Sequence, residues 1–393
     1  MPVLACSWQR AHSARCLAID QRAETSLHIL APRSTNGLVS AMIGATDSVG
    51  SRGTAMGWTH RDRIEAVLHG ERADRVPVSA WHHFPQAEYS PGAFVEATVA
   101  EASRYGWDWV KINPRGVLFS EIWGAEYDDV DYLGGDVPRL VRTPFGALDD
   151  LARLEARPDS PVITEQARTV AAIRRGLPDV PLYFTVFSPL TTVLQALALP
   201  ITPAGVYGRG ASFGLADLWA TDPGALHAAL DAATTTLVAL AEAVLAAGAD
   251  GLFYALTGTA GEFISRDRET FETFSTPYDH RVLEAASGEA ILHTCGAASH
   301  PDWFGAWPVR AINWDSFAAG NPALAELATR GVAPVGGVDR GLLDGRHADE
   351  AAGQITRTIA SFGDRPFLLS PSCAIPAAGL SDGDLQLLAD AVA

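Results

Sequence analysis

The side chains best suited to do chemistry in this 393-residue sequence are one imidazole and two thiols. His293 and Cys295 stand two residues apart in His293-Thr294-Cys295-Gly296, and Cys373 lies near the C-terminal end. Residues i and i+2 of a strand share a face, so His293 and Cys295 point together if the strand runs as far as Cys295. Gly296 then lets the chain turn away at once. One imidazole and two thiolates suit a borderline-soft tetrahedral ion, which means zinc first. Three protein ligands leave a position for substrate, and two thiolates cancel the charge of Zn2+. A substrate thiol that joins as thiolate makes the whole anionic and keeps its sulfur nucleophilic, whereas zinc sites that activate water carry fewer thiolates. A His-x-Cys alone is more often a satisfied core histidine beside a cysteine acting as a small hydrophobe. The added weight comes from Cys373, at the end of a different expected strand.

For the three to meet, strands must carry them to one rim. Short apolar runs rich in β-branched and aromatic residues predict strands at Val76–Trp81, Trp107–Ile112, Leu182–Phe187, Gly251–Leu256, Ala290–His293, Ala311–Trp314, Val332–Val338 and Phe367–Leu369. Thr59 caps an opening helix that Gly70 closes. Helix-period segments at Pro91–Tyr105, Pro223–Ala247, Arg268–Ala286, Asn321–Ala328, His347–Phe362 and Ser381–Val392 separate most of the strands. Strands alternating with helices mean parallel βαβ units. About eight such units predict an α/β (β/α)8 TIM barrel with an insertion between strands 2 and 3, from Asn113 to Pro181. An open doubly wound sheet is the runner-up, but no Gly-rich phosphate turn follows the first strand. Without a linker or a fixed-period repeat, residues 58–393 read as a single barrel domain.

In such a barrel the chemistry gathers at the C-terminal ends of the strands. His82 and His83, after the first strand, are candidates to orient substrate or to act as a base near neutral pH. Asp315, after the sixth, is a candidate hydrogen-bond partner of His293 or base for an incoming thiol. Tyr254, on the fourth, is expected to line the cavity. Lys111 is the only lysine in a chain that otherwise uses Arg, which hints at a need for a compact ammonium. The plainer readings are a hydrogen-bonded rim histidine for His82 or His83 and a helix cap for Asp339. Arg266-Asp267-Arg268-Glu269 reads most simply as a solvated helix start.

Composition narrows the classes. Hydrophobic residues make up 48% and charged residues 19%, enough for a large core. A net charge of −17 argues against sequence-independent nucleic-acid binding. Four cysteines at irregular spacing do not read as a disulfide scaffold. The longest apolar segment, Ala225–Ala249, is interrupted by Asp231, threonines and Glu242 and reads as a buried helix, so no membrane span is expected and the protein is placed in the cytoplasm. Residues 1–57 carry scattered Arg and Ser without periodicity and read as a poorly ordered N-terminal extension. Met56 is a plausible true start, and Cys6 and Cys16 are given little weight.

Several stretches together resemble the uroporphyrinogen decarboxylase superfamily, and within it the zinc-dependent corrinoid:thiol methyltransferases of the methylcobamide:coenzyme M type. Thr59 to Ile64 and Glu71 to Val78 are similar to the family's opening helix and first strand. Ala247-Gly248-Ala249-Asp250-Gly251, Pro277-Tyr278, Gly336-Gly337-Val338-Asp339 and Leu369 to Pro376 resemble its later motifs. The resemblance implies that His293, Cys295 and Cys373 are zinc ligands. It further implies that a small thiol, activated as a zinc thiolate, takes a methyl group from a methylated corrinoid. No corrinoid-binding D-x-H-x-x-G motif occurs in the chain, so the corrinoid is expected on a partner protein. The decarboxylase branch has an Arg-containing motif after its first strand, and here that place reads Trp81-His82-His83-Phe84. Phe119-Ser120-Glu121 is only superficially similar to another decarboxylase motif. Two alternatives are kept. One is a cofactor-independent decarboxylase or lyase with Lys111 and Arg115 as carboxylate clamps, and the other is a non-catalytic barrel that binds a corrinoid or another tetrapyrrole. The sequence leaves the oligomeric state open, and a homodimer is compatible with it.

Overall fold

A computed structural model describes residues 57–132, 136–201, 213–257, 267–286, 289–327 and 331–393. The expected extension, with Cys6, Cys16 and Met56, lies outside the described residues apart from Gly57, and so does Arg266. The strands are β1 (Val110–Ile112), β2 (Glu126–Asp128), β3 (Arg139–Arg142), β4 (Leu182–Phe187), β5 (Gly251–Leu256), β6 (Ala290–Thr294), β7 (Ala311–Trp314), β8 (Ala333–Val338) and β9 (Leu368–Pro371). The helices are α1 (His60–Leu68), α2 (Pro91–Tyr105), α3 (Leu118–Glu121), α4 (Pro161–Gly176), α5 (Pro189–Ala196), α6 (Leu215–Ala220), α7 (Pro223–Ala246), α8 (Arg268–Phe274), α9 (Thr276–Ala285), α10 (Leu324–Leu327), α11 (Ala348–Phe362) and α12 (Asp382–Asp390).

Seven strands form one parallel sheet in the order β1-β4-β5-β6-β7-β8-β9, while β2 and β3 make a separate antiparallel ribbon. The expected first strand, Val76–Trp81, is extended but forms only bridges, from Val78 to Leu369 and from His82 to Ile375. On the β9 side Ser79 N–H donates to the Leu369 carbonyl and Leu369 N–H to that of Pro77. On the β1 side Asp108 N–H donates to the Val78 carbonyl. The segment thus joins the two edges of the sheet and closes the (β/α)8 TIM barrel. Two local features keep it irregular. Pro77 has no N–H to give, and the Asp108 carboxylate accepts the Val78 N–H at 2.9 Å where a strand carbonyl would stand. Asp108 is fully buried and also accepts from Arg75 and bonds His60, which ties α1 to the closing segment.

Alternation along the strands divides the core in two. Trp81, Trp109, Tyr183, Phe253, Ile291, Ala311, Val335 and Leu368 fill the barrel interior, as side chains fill small barrels generally. Leu252, Tyr254 and Leu256, the alternate residues of β5, join the outer core together with residues of α7 and α9. Helix α7 is long and apolar enough to cross a membrane by length and composition, but half of that stretch is buried inside the fold.

Two expectations change in detail. The helix expected over Arg268–Ala286 breaks at Ser275 into α8 and α9, with Pro277 in the first turn of α9, where its missing N–H costs nothing. Asp267 caps α8 by accepting from Thr270 N–H. The insertion after β1 is shorter than expected, because α4 belongs to the barrel. It holds α3 and the β2–β3 ribbon, and it packs on α5 and α7 through Trp123, Phe145, Leu151, Leu194 and Leu230.

Candidate metal centre

The β6 ladder runs one residue past its last assigned position, because Cys295 N–H donates to the Leu256 carbonyl at 3.0 Å. His293 and Cys295 therefore share the cavity face of one strand. Gly296 follows with φ +86°, a left-handed conformation that costs a residue with a Cβ but not glycine. Across the mouth, Ser372 N–H donates to Val338 O just beyond β9, which delivers Cys373 to the same point. The ligand atoms of His293, Cys295 and Cys373 lie within 4.8 Å of one another, and Cys373 Sγ is 3.6 Å from His293 Nε2. Tetrahedral zinc with bonds of the usual lengths separates a sulfur and a nitrogen ligand by about 3.5 Å, so this donor set fits the ion with little movement.

The imidazole is already turned for the task. Asn313 Nδ2 donates to the Val335 carbonyl at 2.9 Å, which leaves its Oδ1 facing His293 Nδ1 at 2.6 Å. Nδ1 must then carry the proton, and the lone pair of Nε2 faces the sulfurs. Phe253 stacks on the ring with centroids 5.7 Å apart. Of the two thiols, Cys373 is held well below the ordinary range chiefly by a hydrogen bond from Cys295, with the charge of Arg340 adding to it. The same hydrogen bond and burial push Cys295 up. Arg340, which the sequence reading did not single out, is coupled electrostatically to both cysteines and donates to the Ala374 carbonyl at 3.1 Å.

A cavity opens beside the three donors. His83, Lys111, Phe119, Phe187 and Thr257 are among its other walls. Lys111 is buried, with Nζ 4.7 Å from the centre of the Phe253 ring and 5.6 Å from that of Trp81. It donates to Asn113 Oδ1, and among the described residues no carboxylate pairs with it. Burial pushes its ammonium down to about 7, although the cysteine pair opposes this.

The remaining candidates separate. His83 faces the cavity with Nδ1 3.2 Å from the buried Glu88 carboxylate. His82 faces the other way, bonded to Glu101 of α2 at 2.6 Å and to the His83 carbonyl at 2.7 Å. Burial would lower its pKa, but Glu101 raises it overall. Tyr254 does not line the cavity. It is mid-strand on the outward side of β5 and donates to Asp279 of α9 at 2.6 Å, while its neighbours Phe253 and Ala255 point inward. Asp315 is not the partner of His293 either. Register pairs His293 with Asn313, and Asp315 lies two residues further on, where it accepts from Phe317 N–H. Burial raises the Asp315 carboxyl, which faces Cys373 and Arg340. Asp339 caps the next turn by accepting from Gly341 N–H at 2.8 Å. Asn321, also not anticipated, pins the loop behind the cysteine by donating to Gly296 and Asp315 and accepting from Ser299. Strand-end position alone could not have distinguished these orientations, because they depend on neighbouring strands.

The comparisons agree with the fold. A methyltransferase from Methanosarcina mazei has a similar solved structure, with a TM-score of 0.66 over 85% of this chain and 98% of that one, at 20% identity. The methylated-thiol–coenzyme M methyltransferase of Methanosarcina mazei is 34% identical over 113 residues, which span 29% of this chain and 30% of that relative's length. The family model described as uroporphyrinogen decarboxylase (URO-D) matches residues 59–379, nearly the whole barrel, and the chain therefore belongs to the URO-D family.

Proposed function

We propose that this barrel, residues 58–393, is a zinc-dependent methyltransferase that moves a methyl group from a methylated corrinoid, carried by a partner protein, to a small thiol. The observation that carries the reading is the convergence of one pre-oriented imidazole and two thiols at the wall of a mostly apolar cavity. Zinc held there supplies a soft cation that lowers the thiol's pKa while leaving sulfur electron-rich. The protein's own contribution is orientation and exclusion of water. Asn313 fixes the His293 tautomer, and Phe119, Phe187 and Phe253 give an apolar wall that disfavours hydrolysis. Lys111 and Arg340 both act electrostatically on the thiol pair and serve as counter-charges when a further thiolate enters. The relative named for methyl transfer from a methylated thiol to coenzyme M supports a thiol chemistry of this kind.

The decarboxylase alternative needs cationic clamps, and one of its two candidates is spent. Arg115 is bound by Glu121 at 2.5 Å and by Glu165 at 3.0 Å, leaving Lys111 as the cationic side chain on the cavity wall. A multiply carboxylated substrate is poorly matched by that arrangement. The test is metal content by mass spectrometry on protein purified without added metal, followed by methyl transfer from methylcobalamin to a panel of thiols that includes coenzyme M. About one zinc per chain, lost in Cys295→Ser and Cys373→Ser together with transfer, is the expected result. A folded, metal-free wild type that transfers no methyl group refutes the reading.

A further inference from the structure

Beside the metal donors the cavity holds a second oriented imidazole, and its partners form a chain. His83 is 7% exposed and Glu88 4%, and their side chains meet at 3.2 Å through Nδ1 and Oε2. The other carboxylate oxygen of Glu88 accepts from Tyr132 Oη at 3.0 Å. Burial and the Glu88 charge hold the Tyr132 hydroxyl well above its ordinary range, so it stays a donor. Local structure supports the contact. Glu88 N–H donates to the Phe84 carbonyl, and that turn folds the carboxylate back under the ring five residues earlier. A carboxylate accepting at Nδ1 fixes the proton there and leaves Nε2 as a free base, and it stabilises the imidazolium once Nε2 is protonated. Among the described residues, the other charged or titratable groups that face this cluster are Asp129 and Arg115 beside Tyr132 and, on the cavity wall, Lys111, His293, Cys295 and Cys373.

We propose that His83 is the base that takes the proton of the acceptor thiol, with Glu88 as its positioning residue and Tyr132 holding Glu88 in place. This rests on the thiol-methylation reading. The S–H bond breaks, its electron pair stays on sulfur, and the proton goes to Nε2 of His83, where Glu88 balances the new charge. Sulfur then forms a bond to the methyl group as the bond between methyl and the corrinoid breaks, leaving its electron pair on the demethylated corrinoid, and the proton leaves His83 for solvent, so that one proton is released per methyl transferred. His83 is better placed for this than Asp315, which follows β7, is not among the residues lining the cavity and already accepts from Phe317 N–H.

The experiment measures proton release when 2-mercaptoethanol binds the zinc-loaded full chain near pH 7, by calorimetry in two buffers of different ionisation enthalpy. Wild type is expected to release clearly less than one proton per thiol bound, because His83 retains it. His83→Gln and Glu88→Gln, at unchanged zinc content, are expected to release close to one. In methyl transfer, kcat/KM for the thiol is expected to fall roughly 100-fold at neutral pH in both variants, with the deficit closing as pH approaches the thiol's own pKa. Tyr132→Phe keeps both ionisable groups and is expected to shift the profile less, in the same direction. It decides the matter if Glu88→Gln loses zinc. Full proton release by wild type, or pH profiles parallel to wild type in all three variants, overturns the proposal. So does retention lost only in Lys111→Met, which would make lysine the acceptor. The proton count needs no methyl donor, so absence of methyl transfer in wild type would instead refute the methyltransferase reading.

Discussion

Two histidines face one cavity from opposite parts of the barrel, and they are held by different chemistry. On the β6–β7 side, a neutral amide, Asn313, accepts from His293 Nδ1. On the side of the closing segment, a carboxylate, Glu88, faces His83 Nδ1. An amide fixes a tautomer without favouring a positive ring, which suits a metal ligand that must stay neutral. A carboxylate fixes the same tautomer and also stabilises imidazolium, which suits a base. The difference teaches that orientation alone does not define a histidine's work, and that the charge behind the ring decides whether it can accept and keep a proton.

The comparison breaks most severely at the sulfurs. Cys295→Ser or Cys373→Ser is expected to remove the metal and all thiol-dependent transfer, since a hydroxyl replaces a soft ligand. Next comes the pair that separates the two histidines. Asn313→Ala is expected to weaken metal binding about 10- to 100-fold, read by competition with a chromogenic chelator, and to leave the pH profile of the residual activity in place. Glu88→Gln is expected to do the opposite, shifting the profile at full metal content. An Asn313 variant with unchanged metal affinity would show that the amide does not set the ligand. Lys111→Met has a smaller expected effect, raising KM for thiols several-fold with kcat nearly retained, because it removes a counter-charge and leaves both histidines in place. A loss confined to kcat would contradict that role.

The smallest effect is expected where the sequence pointed and the structure did not follow. Tyr254→Phe should leave metal content and transfer unchanged and cost about 1–2 kcal/mol in denaturant unfolding, because the buried Asp279 loses the donor to its Oδ1 and keeps that of Ser275 to its Oδ2. Burial pushes Asp279 up to about 7 against an ordinary value of 3.8. The folded state therefore holds this proton more tightly than the unfolded state. Its stabilising contribution is full below about pH 4 and is lost as pH rises through about 7. Asp279→Asn is expected to lack that slope, so in thermal scans of the two proteins from pH 5 to 8 the curves should converge or cross toward high pH if the variant starts lower, and diverge if it does not. Parallel curves would show that Asp279 does not titrate in this range.

How much was legible follows from which contacts are local. The pairing of His293 with Cys295 could be read directly, because side-chain alternation along a strand is a property of the strand itself. The barrel was also legible, from strands such as Gly251–Leu256 and helices such as Pro223–Ala246 that carry their period in the sequence. Tyr254 was misplaced by one step of the same alternation, since knowing that a strand exists does not say which of its two faces is inward. Asp315 was chosen over Asn313 because a carboxylate looks more functional, but the parallel register sets Asn313 opposite His293. Glu88 carries no motif and gains meaning only when the turn after Phe84 folds it beneath His83.

By itself, then, the sequence determined the set of soft donors and the elements that bear them, because composition and periodicity are properties of the chain. The tertiary structure decided that Cys373 meets His293 across the mouth, that Asn313 rather than Asp315 turns the ring, and that His83 faces inward while His82 pairs with Glu101. Those choices depend on lateral register and ring closure between segments as far apart as the first closing segment and β9, and no local pattern encodes them.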